Sequence, residues 1–587
     1  MLKQDRSGLN YFKLVKQART PAPGGRPLRI ALLSDASTQH LVPLLKVLFA
    51  DNGVDAAIYE GGYDAIQMEA YNPDSGLYRF RPDLVFLINA LGKVKADYYA
   101  FPDDPAGFAA HQAGILESIW NAIQEHGSAK LVQTTFVLPY ERPFGHFGLK
   151  LPGTLHQAIT ELNREIAIRS RAHPNVLLLD TDALAGWVGR KHFIDERLWA
   201  LAKSYCALEC LPEVAQGLVD VALAAQGRSI KCVVLDLDNT LWGGVVGDDG
   251  LEGIGLGDLD DGDAFRFFQL YLRDLARRGI ILAVCSKNNE ETARRVFLEH
   301  PAMVLKLEHI AMFVANWEDK PKNLRRIQAN LNIGFDSMVF LDDSPFERNM
   351  VRQLIPDLLV PELPEDPALY VRFLAELNLF ETSTFSELDG KRNRLYQEQG
   401  RREQVKAHSQ SIDQFLASLE TEADIQPFLP RHLSRIAQLL QRSNQFNLTT
   451  RRLSEAECRK VMEQPARHPA FTITLRDTFG DFGLINVVLL TLQDATLEID
   501  GFLMSCRVLQ RGVEQLAMNR IFTLAGQLGA TRVRGRYLPT AKNAMVKDFY
   551  PQFGFTMAAT AEDGSTEWLL DVAAYRPRPV FIQERQP

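Results

Sequence analysis

The chain has 587 residues, a length that predicts about three or four domains. Its formal net charge of −8 leaves no electrostatic footprint for nucleic acid or an anionic membrane surface, and no apolar run reaches the ~20 residues a membrane helix needs. The six cysteines (206, 210, 232, 285, 458 and 506) have neither metal-ligand nor disulfide spacing, so a cytoplasmic location is expected.

The first segment, MLKQDRSGLNYFKLVKQART, is basic and partly amphipathic. It lacks the apolar centre of a secretory signal and reads as a docking helix or arm. A Pro/Gly linker covers residues 20–27. From Leu28, strand patterns recur at LRIALLSD, Leu84 to Leu87, Lys130 to Leu138 and Val176 to Asp180. Helical patterns separate them, including Ala106 to His126 and His156 to Ala172. Such alternation predicts a three-layer α/β domain ending near Gln226.

The next segment, KCVVLDLDNTLWGG, carries the chemistry. Val233 to Leu235 reads as a buried strand with Asp236, Asp238 and Thr240 at its carboxyl end. Side chains two apart on extended backbone point the same way, so both carboxylates are expected at one site. There they invite Mg2+, and one can attack phosphorus while the other moves a proton. Seven glycines from Gly243 to Gly257 predict a flap over this site. A second apolar run ends at Ser286, followed by Lys287, Asn288 and Asn289. Asn316 to Asn323 places Lys320 and Lys322 at the start of a helix, and a third run ends at Asp342 and Asp343. A hydroxyl and a lysine suit a transferring phosphoryl group, and the last aspartates complete an oxygen shell for a hard cation.

Pro356, Pro361, Pro364 and Pro367 punctuate the end of this unit, and Glu387 to Glu420 reads as a charged helical connection. Farther on, the strand pattern LEIDGFLMSC ends at Cys506 and is followed by Arg507 to Gly512 and a helix from Val513. Backbone amides in such a turn can cradle a pyrophosphate.

The four phosphoryl-transfer segments resemble motifs I to IV of the haloacid dehalogenase (HAD) superfamily. WGGVVGDDG, VCSKNN, NWEDKPKN and FLDDSPFER resemble the FkbH family in particular. The resemblance implies Asp236 as nucleophile, Asp238 as general acid/base, Ser286 as phosphate-binding hydroxyl and Lys320 as the neutralising lysine. It implies Mg2+ held by Asp236, Asp238, Asp342 and Asp343, with Thr240 and Asn288 lining the substrate site. Residues 28–226 are similar to an SGNH hydrolase, with Ser37 near the nucleophile position. The Gly-Asn-Asp block is missing, and His192 and Asp195 stand in reverse order, so a non-catalytic domain is expected. Arg507-x-x-Gln510-x-Gly512 resembles the R-x-x-G-x-G/A motif of the GCN5-related N-acetyltransferase (GNAT) fold, with Gln at a glycine position. Asn543, Tyr550 and Gly554-Phe555 fit the same fold, and Arg507, Gly512, Asn543 and Tyr550 are the implied pantetheine contacts. Ser443 to Arg452, SNQFNLTTRR, reads as a polar loop opening the acyl-transfer cleft.

The expected architecture is therefore multidomain α/β. An arm and linker (1–27) precede an SGNH-like three-layer α/β domain (28–229) and a HAD-like Rossmannoid α/β domain (230–375). A helical linker (376–421) leads to a GNAT-like α+β domain (422–587). The activity implied by the resemblance is conversion of 1,3-bisphosphoglycerate to glyceryl-acyl carrier protein, for polyketide or related biosynthesis, through an aspartyl phosphate. A cysteine thioester would divide the acyl transfer into two steps. Cys506, beside Arg507, is the preferred carrier over Cys285, because Cys285 and Ser286 on one strand face opposite ways. The alternatives are a HAD phosphatase for a small sugar or nucleotide phosphate and a non-catalytic carrier-protein assembly factor.

Overall fold

The computed structural model describes residues 10–18, 25–101, 105–259, 261–385, 398, 412–442, 446–505, 508–509, 511–540 and 543–585. The chain divides into two compact units, Met1–Asn393 and Arg394–Pro587.

In the first unit, β1 (Arg26–Ser34), β2 (Val54–Glu60), β3 (Leu84–Ile88), β4 (Lys130–Thr134) and β5 (Val176–Leu179) form a parallel sheet in the order β2-β1-β3-β4-β5. The period of two in each strand decides the layers. Ile30, Leu32 and Phe86 pack into a core with the helices Leu41–Asp51 and Leu211–Ala225. Ala31, Leu33, Val85 and Leu87 face the helices Phe108–His126 and Leu155–Ser170 on the other side. Burial on both faces is why these strands read as continuous apolar runs. At the end of β1, Asp35 accepts bonds from Asn89 Nδ2 (2.9 Å) and Ala90 N (2.7 Å). Ser37 donates its backbone N–H to Lys203 O at 2.8 Å. His192 lies 3.6 Å from Glu209, and Asp195 caps the helix Glu196–Ala202 through Leu198 N. Neither side chain is bonded to Ser37.

The second sheet of this unit comprises β6 (Cys232–Leu235), β7 (Ile281–Ser286), β8 (Ile310–Ala315) and β9 (Met338–Leu341), parallel in the order β8-β7-β6-β9. With β6 between β7 and β9, the loops after all three strands meet at one edge, where open α/β sheets place their ligands. After β6 the chain folds back so that Gly243 and Gly255 exchange backbone hydrogen bonds of 3.0 and 2.8 Å. The short helix Val246–Gly253 lies between them.

The second unit is built on eight strands: β10 (Thr421–Pro427), β11 (Ala470–Asp477), β12 (Gly480–Gln493), β13 (Thr496–Met504), β14 (Arg532–Tyr537), β15 (Thr556–Thr560), β16 (Thr566–Asp571) and β17 (Ile582–Glu584). Their order is β15-β16-β14-β13-β12-β11-β10-β17, with the helix Val513–Gln527 connecting β13 to β14. This mixed sheet and its crossover make an α+β layer. β13 and β14 run parallel and pair only from Thr496–Ile499 to Arg532–Gly535, then part. Residues 446–448 enter the gap: Phe446 O accepts from Met504 N, Leu448 N donates to Phe502 O, and Leu448 O accepts from Leu538 N. For residues 446–448 this corrects the expectation of a polar loop opening the cleft, while 443–445 lie outside the described residues. The backbone groups exposed by the splayed strands must be satisfied, and residues 446–448 satisfy them. Of the connecting helix expected before β10, Ile412–Ser418 is helical, while 386–397 and 399–411 lie outside the described residues.

Tyr550 fills the space beside the bare Cα of Gly535, where an added Cβ would stand 2.2 Å from the Tyr550 ring. That ring is fully buried and has nowhere to move. Gly535→Ala is expected to destabilise the second unit by about 1–3 kcal/mol. Thermal unfolding of the full chain checks this, and an unchanged transition in the second unit would refute the packing argument.

Candidate active site

The carboxyl ends of β6, β7 and β9, with the loop after β8, build one polar site. Asp236 follows β6 directly and is buried, as is Asp342 after β9; Asp343 is half-buried. Ligand atoms of these three carboxylates lie within 4.8 Å of one another. The helix Lys320–Leu331 delivers Lys320 from its first residue, with Nζ 3.1 Å from Asp236 Oδ2 and 2.5 Å from Asp342 Oδ2. Burial works against the ammonium, but the charges of Asp236 and Asp342 outweigh it and hold Lys320 above its ordinary pKa. Burial, reinforced by the charge of Asp236, pushes the Asp342 carboxyl up.

Asp238 is placed otherwise than expected. Its carboxylate is outside the three-carboxylate cluster because β6 has already ended at Leu235. Strand alternation no longer governs the direction of its side chain, and Asn239 turns the chain with a φ of 56°. Asp238 Oδ1 accepts from Trp242 Nε1 (2.8 Å) and Val246 N (3.1 Å), and Oδ2 accepts from Asn288 Nδ2 (2.8 Å). Burial raises its pKa, with the Val246 and Trp242 bonds in opposition. A carboxyl held separately from the cluster and inclined to keep a proton suits acid/base work.

Three carboxylates against one ammonium leave excess negative charge in a mostly buried place, which is costly without a cation. Asp236 Oδ1 is buried and has no hydrogen-bond partner. An all-oxygen donor set with an unsatisfied oxygen fits a hard divalent ion, and Asp236, Asp342 and Asp343 are the residues that would hold Mg2+.

Ser286 is buried at the end of β7. Thr240, expected to contact substrate, is fully buried and its Oγ1 accepts from Asp343 N at 3.2 Å, so it fastens the β9 loop. Asn288 is bonded to Asp238. Lys322 is exposed and paired with Glu318 at 2.6 Å, away from the carboxylate cluster. Cys285 is also corrected as an acyl carrier. It is fully buried, its Sγ donates to Lys320 O at 3.9 Å, and burial pushes its thiol pKa up. Such a thiol is a poor source of thiolate. Cys506, Arg507 and Gln510 lie outside the described residues.

In the second unit, Gly512 precedes the helix Val513–Gln527 with a φ of 89°, where a Cβ is strained. Asn543 and Tyr550 are structural. Asn543 Nδ2 donates to Asn447 O and Leu538 O, both at 2.9 Å, and Oδ1 accepts from Thr540 N at 2.7 Å. Tyr550 OH donates to Arg536 O at 3.3 Å from a fully buried ring. Both side chains are fully buried and spend their hydrogen bonds on partners within the unit.

Two contributions escaped the sequence reading. Trp242 orients Asp238 through its indole N–H. Arg348, itself buried, donates through Nη1 to Asp342 O (2.7 Å) and Asp343 O (2.6 Å) and is paired with Glu362 at 2.7 Å. Their spacing from the aspartates was visible, but nothing in a one-dimensional pattern shows which way an indole or guanidinium turns.

A parallel sheet with this set of carboxylates and a lysine at adjoining strand ends is a phosphatase-like α/β fold. The chain belongs to the FkbH family. The FkbH N-terminal domain matches residues 29–223. The N-terminal part of the protein BF1531 from Bacteroides fragilis, which contains a phosphatase domain and was crystallised with Mg, is 38% identical. The match covers 64% of this chain and 100% of that one, with a TM-score of 0.61. Spermidine N-acetyltransferase from Vibrio cholerae, in complex with CoA and spermine, matches 26% of this chain and 98% of its own at 12% identity and a TM-score of 0.21. The GNAT domain of S. lividans PAT matches 25% of this chain and 89% of its own at 18% identity and a TM-score of 0.21. These last two likenesses carry no argument about activity. Comparison with curated proteins gives no match. No helix among the described residues is long and apolar enough to cross a membrane.

Arg348→Met removes the clamp on the carbonyls of Asp342 and Asp343 without touching a carboxylate. Loss of an orienting partner of this kind is expected to weaken divalent-ion affinity about 10–100-fold. Calorimetric titration with Mg2+ checks it, and wild-type affinity in the variant would show that the clamp is dispensable.

Proposed function

We propose that this chain is a Mg2+-dependent phosphatase and acyl transferase. Its substrate is a phosphorylated three-carbon acyl phosphate, 1,3-bisphosphoglycerate, and its acceptor is the pantetheine thiol of an acyl carrier protein. The observation that carries the phosphoryl half is the meeting of Asp236, Asp342, Asp343 and Lys320 at the end of β6. Membership of the FkbH family supports the acyl half.

In this reading an Asp236 carboxylate oxygen attacks phosphorus, and the bond from phosphorus to the leaving oxygen breaks. Asp238 gives its proton to that oxygen. Asp238 then takes a proton from water, whose oxygen attacks the phosphoryl-aspartate, and Asp236 is released as a carboxylate with inorganic phosphate. Lys320 neutralises the transferring group, and Ser286 donates a hydrogen bond to it. Mg2+, when bound, supplies further positive charge against the phosphoryl oxygens.

For acyl transfer, a thiol sulfur attacks the acyl-phosphate carbonyl. A C–S bond forms, the C–O bond to phosphate breaks, and the thiol proton leaves with the phosphate. The thiol belongs to the carrier arm directly or, in a relayed version, first to Cys506. The burial of Cys285 speaks against it in that role.

Incubation of the full chain with 1,3-bisphosphoglycerate, Mg2+ and a holo carrier protein, followed by intact-mass measurement, tests both halves. A glyceryl adduct on the carrier is expected, as is an accumulated adduct on the chain if Cys506 relays. Cys285→Ala is expected to leave transfer within a few-fold of wild type. Phosphate release that persists in Asp236→Asn would overturn the nucleophile assignment. Release from simple sugar or nucleotide phosphates with no acyl adduct would make the chain a plain phosphatase.

A further inference from the structure

The loop after β7 carries a cation that the chemistry above does not use. Lys287 follows Ser286 directly, and its Nζ lies 2.7 Å from Oε1 of Glu347, in the first turn of the helix Pro345–Leu354 after β9. In the sheet, β6 lies between β7 and β9. A bond from the β7 loop to the β9 loop therefore crosses the carboxyl end of β6, where Asp236 and Asp238 stand. Asn288, the next residue, reaches Asp238 from the same loop.

This pair differs from the surface ion pairs elsewhere on the chain. The Glu347 side chain is only 9% exposed, whereas that of Lys287 is 33% exposed. Glu347 Oε2 is buried without a hydrogen-bond partner. A pair kept for stability satisfies both carboxylate oxygens, because burying a carboxylate otherwise costs more than one contact returns. Glu347 bears that cost while holding a single ammonium in place. The other cations on these loops are committed. Lys320 is bound to Asp236 and Asp342, Arg348 to two backbone carbonyls and Glu362, and Lys322 to Glu318 at the surface. Lys287 is the partly exposed cation next to the phosphate-binding hydroxyl.

We propose that Lys287 is a specificity-determining residue that binds a second anionic group of the substrate, a carboxylate or a phosphate that is not transferred, and that Glu347 is the residue that positions it. The inference rests on the phosphoryl-transfer reading of this site and names the residue that selects, among phosphate esters and anhydrides, those carrying a second anion a few bonds away. The lysine has three donors and gives one to Glu347, so it can take an anionic oxygen without releasing its anchor. A phosphate ester lacking the second anion leaves those donors to water and gains nothing from them.

Calorimetric binding to the full chain in Mg2+ tests this without turnover. The ligands are 2,3-bisphosphoglycerate, with further anionic groups, and glycerol 3-phosphate, with a single phosphate and none. Both are measured on an Asp236→Asn background and on that background with Lys287→Met, Lys287→Arg or Glu347→Gln. The background protein is expected to prefer the bisphosphate, and Lys287→Met is expected to lower the affinity ratio about tenfold or more, the worth of one charge-assisted contact. Lys287→Arg is expected to keep most of the ratio, and Glu347→Gln to lower it several-fold while the chain keeps its unfolding temperature. No preference in the background protein, or a ratio unchanged by Lys287→Met, overturns the proposal. Failure of glyceryl transfer with the anion preference intact overturns the acyl-transfer reading alone.

Discussion

Like charges set the terms of this structure. Three carboxylates converge at the end of β6, and an arrangement of that kind does not hold itself together. Lys320 answers part of the repulsion by bridging Asp236 and Asp342 from the next helix. The rest is carried by backbone and neighbours. Arg348 grips the carbonyls of both β9 aspartates, and Thr240 fastens the amide of Asp343. Each restraint comes from a different strand end, so the parallel sheet is what makes the cluster possible. The residual excess of negative charge, with one Asp236 oxygen left without a partner, makes the site a receptor for cations and for groups that arrive with them.

Separation of Asp238 from the cluster follows from the same economy of charge. A fourth carboxylate inside would deepen the repulsion, and the turn after β6 carries it instead to the indole of Trp242 and the amide of Asn288. There burial raises its pKa against the hydrogen bonds from Val246 and Trp242, so the carboxyl inclines to hold a proton, which suits acid/base work. The Gly243–Gly255 contact that closes the segment following Trp242 keeps that indole fully buried and fixed in direction.

The second unit solves a different problem. Parallel β13 and β14 part after four residue pairs, which exposes backbone donors and acceptors inside the fold. Residues 446–448 fill that opening, and Asn543 ties them to the end of β14. The buried pair of Arg511 and Asp477, 3.1 Å apart, anchors the start of the following helix to the β11–β12 hairpin.

How much of this was legible in the order of residues depended on distance along the chain. Apolar runs ending in Asp236, Ser286 and Asp342 disclosed buried parallel strands and the edge on which their polar ends meet, because burial on both faces forces such runs. The α/β alternation of the first sheet and the strand-turn-helix around Gly512 were legible for the same local reasons. Side-chain direction beyond a strand end was not. Asp236 and Asp238 looked equivalent at a spacing of two, yet the strand stops before either, and the left-handed turn at Asn239 sends them apart. Thr240, Asn543 and Tyr550 looked like substrate contacts and instead fasten loops or fill the core, since their partners lie on segments far away in sequence. Residue types and the succession of apolar runs along the chain thus determined the kind of site by themselves. Only the tertiary structure decided which carboxylates share it, which cations they hold and that Lys287 spans it, because those outcomes depend on chain segments meeting across the sheet.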